Sequence, residues 1–281
     1  MPHGGVHKGR EMTSLAAHLT WLEHNGTYTS ACGRSIPVYR FNHNALDISI
    51  MSGWARHFRS HYCSDQELRY LKNPTKTNSK YLITEKFPSE SIAPGPSIRA
   101  GDFAEILIAD YLQYIRNYTV PRTRYDRKVI ANESSKGSDV IAFKKNPKVI
   151  SEKDELLIFE VKAKATEKTK VNVLQNAIDD SIKDEIRIAE SLNAMRQRLF
   201  DRQDFDGVDL IERFQREPDY PCKRKYGAAA VYTSSSLHES VVCTSHAGNH
   251  PSADSLELLI VSGVELMSLI HELYRRAADE A

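Results

Sequence analysis

The stretch ELLIFEVKAK, residues 155–164, decides the fold. An apolar run, Leu156 to Phe159, passes into the alternation Glu160-Val161-Lys162-Ala163-Lys164. On a strand this sends Glu160 and Lys162 to one face and Val161 into a core. Upstream, DVIAF (139–143) follows Gly137-Ser138 and reads as a shorter strand. An antiparallel neighbour and its turn can span the gap to Glu160, so both carboxylates can converge on one end of a sheet. Residues 125–131 read as a third strand.

Further out, FAEILIADYLQYI (103–115) puts Phe103, Ile106, Leu107, Asp110, Tyr111 and Tyr114 on one helical face, with Asp102 at the end where the helix dipole favours an acid. After the motif strand, residues 173–200 carry an apolar stripe unbroken by Gly or Pro, which predicts one long helix. Strands at 227–233 and 256–261 and an amphipathic helix at 264–278 follow. This order is that of an α/β fold, a mixed sheet flanked by helices. Pro88, Pro94, Gly95 and Pro96 predict a boundary near residue 97. Residues 1–97 then form a mainly helical segment of open role, and residues 98–281 the domain that carries the chemistry.

The whole chain, 281 residues at a formal charge of +1, is no polycation, so any nucleic-acid surface must be local. Residues 116–170 hold 14 Lys plus Arg against 8 acids, placing the positive charge around these motifs. Lys136 and Lys164 are the candidates for phosphate contact. The first twelve residues have no apolar leader run and the four cysteines form no CxxC pair, which predicts a cytoplasmic chain with reduced thiols.

Two hard carboxylate ligands suit Mg²⁺, with Mn²⁺ as a substitute. Asp139, Glu160 and the Val161 carbonyl are the expected ligands, Lys162 the group that orients water and meets developing negative charge, and Glu105 a supporting acid. Gln175 is a possible accessory polar group on the following helix.

Gly101-x-x-x-Glu105, Gly137-Ser138-Asp139 and Glu160-Val161-Lys162, in this order, resemble the PD-(D/E)XK nuclease superfamily, with Ser138 in the place of the name's proline. More narrowly, GDFAEILIADYL, KGSDVIAF, FEVKAKA and LQNAIDDSIKDEIRIAESL resemble HamA, the nuclease subunit of the Hachiman anti-phage defence system. The resemblance implies a restriction-endonuclease-like core. It also implies a Mg²⁺-dependent deoxyribonuclease restrained by a superfamily 2 helicase subunit, HamB, until DNA engages the complex. A repair or recombination nuclease and an inert DNA- or helicase-binding adaptor are the rival readings.

Two metal patterns are weaker. His57 and His61 stand four apart on a helix, where Cys63 and Cys32 would have to complete a site, and no HExxH glutamate accompanies them. Cys243, His246 and His250, with Cys222, have zinc-like spacing but sit in a Ser- and Gly-rich loop without closely paired cysteines. No phosphate-cradling GxxxxGK[ST] or GxGxxG loop and no GxSxG elbow occurs, so ATP-driven translocation must come from a partner.

Overall fold

A computed structural model gives the fold and describes residues 14–146, 149, 151–166, 170–216 and 219–281. In chain order the elements are a 3-10 helix (Ser14–Trp21), β1 (Leu22–Thr29), β2 (Ser35–Phe41), α1 (Ile48–Tyr62), α2 (Asp65–Leu71), α3 (Asn78–Tyr81), α4 (Gly95–Asp110), β3 (Val140–Lys144), β4 (Glu155–Lys164), α5 (Val173–Ser181), α6 (Asp184–Asp201), α7 (Phe205–Gln215), β5 (Lys223–Thr233), α8 (Glu239–Val242), β6 (Glu257–Gly263) and α9 (Leu266–Asp279). The first thirteen residues, read as lacking a leader, lie outside the described residues, as does part of the basic 116–170 stretch.

The six strands form one mixed sheet in the order β1-β2-β6-β5-β4-β3. β4, β5 and β6 run parallel with β2, and the flanking β1 and β3 pair antiparallel. Helices cover both faces, as the apolar runs of parallel strands require. Along β4, Leu157, Phe159 and Val161 enter the core under α1, α4 and α9, while Leu156 and Ile158 enter the one under α5, α6 and α7. This is the expected restriction-endonuclease-like α/β arrangement.

The segment before residue 97 is mainly helical, and it also supplies the β1–β2 hairpin, which joins the sheet through β6. Residue 97 itself falls in the first turn of α4. The core under this helix draws Leu19, Trp54 and Phe58 from before it, and Leu273 and Tyr274 from the closing helix.

Two expectations are corrected. Residues 125–131 form turns, not a strand. Tyr125 is buried with its hydroxyl on Glu105, Val129 and Ile130 are exposed, and Thr119 bridges to Phe143 beside β3. The predicted helix over 173–200 breaks at Ile182 and Lys183 into α5 and α6. There the Ser181 hydroxyl donates to the Ile178 carbonyl at 2.7 Å, a local bond of the kind that competes with regular helix geometry.

Gly227 on β5 lies opposite Phe159, and a Cβ there would stand 2.2 Å from the buried Phe159 ring. Gly227→Ala is therefore expected to destabilise the fold by about 1–3 kcal/mol through overpacking, read from the midpoint of urea unfolding. An unchanged midpoint would show that the ring can move aside. Among the described residues no helix is long and apolar enough to cross a membrane.

Candidate active site

The register of β3 on β4 positions the acids. Val140 pairs with Phe159, so Asp139, one residue earlier, stands level with Glu160. Asp139 Oδ2 accepts the Val161 amide at 2.9 Å. Gly137 turns the chain into β3 at φ +93°, a left-handed conformation that glycine adopts without strain. The Ser138 amide then donates to Ser191 Oγ on α6 at 3.1 Å. Lys162, two residues beyond Glu160 and on the same face, places Nζ 2.7 Å from Glu160 Oε1 and 2.8 Å from Asp180 Oδ2. Burial alone would lower its pKa, but the bonds to Asp180 and Glu160 outweigh it and hold the ammonium firmly charged.

Glu105 reaches the same cleft from α4, linked through a residue that sequence reasoning missed. Arg124 Nε lies 2.6 Å from Glu105 Oε2, and its Nη2 lies 2.6 Å from Asp139 Oδ1. Arg124 also donates to the Ser138 carbonyl, while the Tyr125 hydroxyl donates to Glu105. Burial raises the Glu105 pKa to about 8, with Arg124 opposing that and Asp139 and Asp102 adding to it. The missed signal was Arg124-Tyr125 itself, a charged and aromatic pair at the edge of the stretch 125–131 read as a strand.

Glu160 is 4% exposed, and among the described residues its Oε2 has no hydrogen-bond partner. Burial, with the charge of Asp139 next, raises its pKa to about 8. Glu105, Asp139, Glu160 and Asp180 pair with Arg124, Lys162 and Lys183. The hard oxygen donors and the unpartnered Oε2 of the buried Glu160 fit a divalent cation such as Mg²⁺. Among the described residues these acids do not gather three ligand atoms within 4.8 Å of one another.

The cleft encloses about 840 Å³ and is lined by Glu105, Asp139, Glu160, Val161 and Lys162. Lys136, Arg187 and Arg198 contribute positive charge to its walls. Lys164, at the end of β4, lies outside that lining. Gln175 also stays away, spending its amide on the Asp179 carboxylate and the His246 backbone.

A buried polar cluster adjoins the cleft. Asp110 accepts from His57 Nε2 at 2.8 Å, His18 Nε2 at 3.0 Å and Arg122 Nη2 at 2.8 Å, and His61 Nε2 lies 3.4 Å from His57 Nε2. His57 and His61 thus come together as their spacing predicted. The third potential ligand is Asp110 rather than Cys63 or Cys32, since the carboxylate at the end of α4 reaches α1 directly. The Arg122 guanidinium already neutralises that carboxylate, which disfavours a metal ion there. Cys222, Cys243, His246 and His250 do not converge among the described residues. His246 Nδ1 and His250 Nδ1 instead accept backbone amides of their own loop.

No curated protein matches the chain. The HamA family matches residues 17–277, nearly its whole length and every residue of the cleft described above. The chain therefore belongs to the HamA family, a component of Hachiman anti-phage defence.

Proposed function

We propose that the chain is a Mg²⁺-dependent deoxyribonuclease that hydrolyses phosphodiester bonds under the restraint of a superfamily 2 helicase subunit, in the cytoplasm. The observation that carries this reading is the meeting of Asp139 and Glu160 across β3 and β4, with the Lys162 ammonium 2.7 Å from Glu160 Oε1. Asp139, Glu160 and the Val161 carbonyl would hold the ion, with Mn²⁺ able to replace it. Mg²⁺, when bound, supplies Lewis acidity at the scissile phosphate and lowers the pKa of water beside it.

The protein groups do the rest. Lys162 is positioned to orient the attacking water and to offset negative charge as it develops on the phosphate. Arg124 fixes Asp139 against Glu105. Lys136, Arg187 and Arg198 offer phosphate contacts at the cleft walls. The sequence carries no nucleotide-binding loop, so a helicase partner must supply ATP-driven movement along DNA.

Cleavage of linear and nicked DNA by the helicase complex, with and without EDTA, tests this reading. DNA left intact under conditions that activate the helicase would favour an inert adaptor. The pH dependence follows from the two acids raised to about 8. A raised carboxyl is protonated below its pKa and must lose that proton to ligate a cation. Mg²⁺ affinity and cleavage are therefore expected to rise with pH from about 7 to about 9 and to level off above. A flat profile over that window would contradict the assigned ligands.

A further inference from the structure

We propose that Asp180, in the last turn of α5, is a positioning residue of the cleavage site, anchoring the Lys162 ammonium at the cleft independently of Glu160. The role presupposes the cleavage reading above and gives it a carboxylate from outside the motif strands. Lys162 Nζ stands 2.7 Å from Glu160 Oε1 and 2.8 Å from Asp180 Oδ2. An ammonium has three N–H donors. Two bonds to carboxylates on separate elements fix the direction of the third, which is left for water or a phosphate oxygen. Glu160 has a second duty, since charge that it gives to a cation is no longer available to hold Lys162. Asp180 has no such duty. It is not part of the cleft lining, where Glu160 and Lys162 both stand, so its effect on a phosphate in the cleft runs through Lys162.

The fold presents Asp180 firmly. Leu156 and Ile158 of β4 pack in the layer under α5, so Glu160 and Lys162, continuing the same alternation, point toward that helix. Leu174, Ala177 and Ile178 bury α5 in this layer, and the Tyr232 hydroxyl on β5 accepts the Val173 and Leu174 amides at 2.9 and 3.2 Å. An acid in the last turn of a helix meets the negative end of its dipole, which disfavours it there. Asp180 is stabilised in that place by two cations, Lys162 on Oδ2 and Lys183 on Oδ1. A lone pair of surface charges fixes little. Lys162 differs in being bridged by two acids, with its side chain only 31% exposed.

Single-turnover cleavage of DNA by the helicase complex tests the role, comparing the parent with D180N, D180E, D179N, K162A and the double variant D180N/K162A. Asp179 is exposed and bonded to Gln175, so D179N removes an equal charge from the same helix turn without touching the ammonium. D180N is expected to slow cleavage about 10- to 100-fold at saturating DNA, the scale of a misplaced catalytic group. The DNA concentration giving half the maximal rate should stay within about twofold of the parent's, because binding is not what is lost. D180E should recover most of the rate, and D179N should cleave within about twofold of the parent. In the double variant, loss of Asp180 should add nothing to the loss of Lys162, since residues that act as a unit are not additive. NMR of the metal-free chain, with lysines labelled at Nζ, gives a readout without turnover. The Lys162 ammonium signal, identified by its loss in K162A, should shift or broaden in D180N and not in D179N. With K162A impaired, parental cleavage by D180N, an additive loss in the double variant or an unmoved Lys162 signal would overturn the role of Asp180 while the cleavage site stands. A parent that leaves DNA intact, or a K162A variant that cuts as fast as the parent, would overturn both.

Discussion

Glu160→Gln is expected to slow DNA cleavage by the activated complex at least about a thousandfold while leaving the fold intact. Lewis-acid stabilisation of the transferring phosphate is worth several kcal/mol, and each 1.4 kcal/mol is about tenfold in rate. Gln keeps the shape of a side chain that is 4% exposed and reproduces the neutral form that Glu160 adopts below a pKa of about 8, so folding survives. What disappears is the negative charge that a cation needs. Lys162→Ala is expected to cost about 100- to 1000-fold, the range for removing one charge-stabilising donor. It also strips the partner from Glu160 Oε1 and Asp180 Oδ2. Single-turnover cleavage, with circular dichroism as the folding control, measures both. Parental rates in the Gln variant would remove Glu160 from the chemistry and with it the site.

The second large effect concerns stability. Asp110→Ala is expected to destabilise the protein by about 3–5 kcal/mol, the loss seen when one partner of a buried ion pair is deleted. Asp110 is fully buried and satisfies His18, His57 and Arg122 together. It thereby ties the 3-10 helix and α1 to α4 and to the chain that follows. Burial would raise its pKa, yet His57 and Arg122 hold it well below the ordinary carboxylate value. A depressed carboxyl contributes stability that is present at neutral pH and lost as the pH falls through its folded value. Urea unfolding at pH 7.5 checks the magnitude. A loss under about 1 kcal/mol would mean that Arg122, also bonded to Gln113, and the imidazoles find other partners.

The motif strand was legible because its information is local. Alternation along residues 155–164 needs no distant contact to send Glu160 and Lys162 to one face, and the structure pairs them at 2.7 Å. The same holds for the closing helix, whose Leu266, Leu269, Ile270, Leu273 and Ala277 are buried as their spacing required. Where local pattern misled, a long-range contact outweighed it. Residues 125–131 have strand-like composition, but Arg124 and Tyr125 are held by Glu105 and Asp139 from other elements.

Residue order and period alone therefore determined the α/β class, the motif strand and the facing positions of Asp139 and Glu160, since side-chain period and backbone pairing rules act over a few residues. Only the tertiary structure decided which charges meet. It placed Arg124 between Glu105 and Asp139, broke the predicted long helix at Ile182 and Lys183, and surrounded Asp110 with His18, His57 and Arg122. Electrostatic energy depends on distance in space and on burial, and neither can be read from separation along the chain.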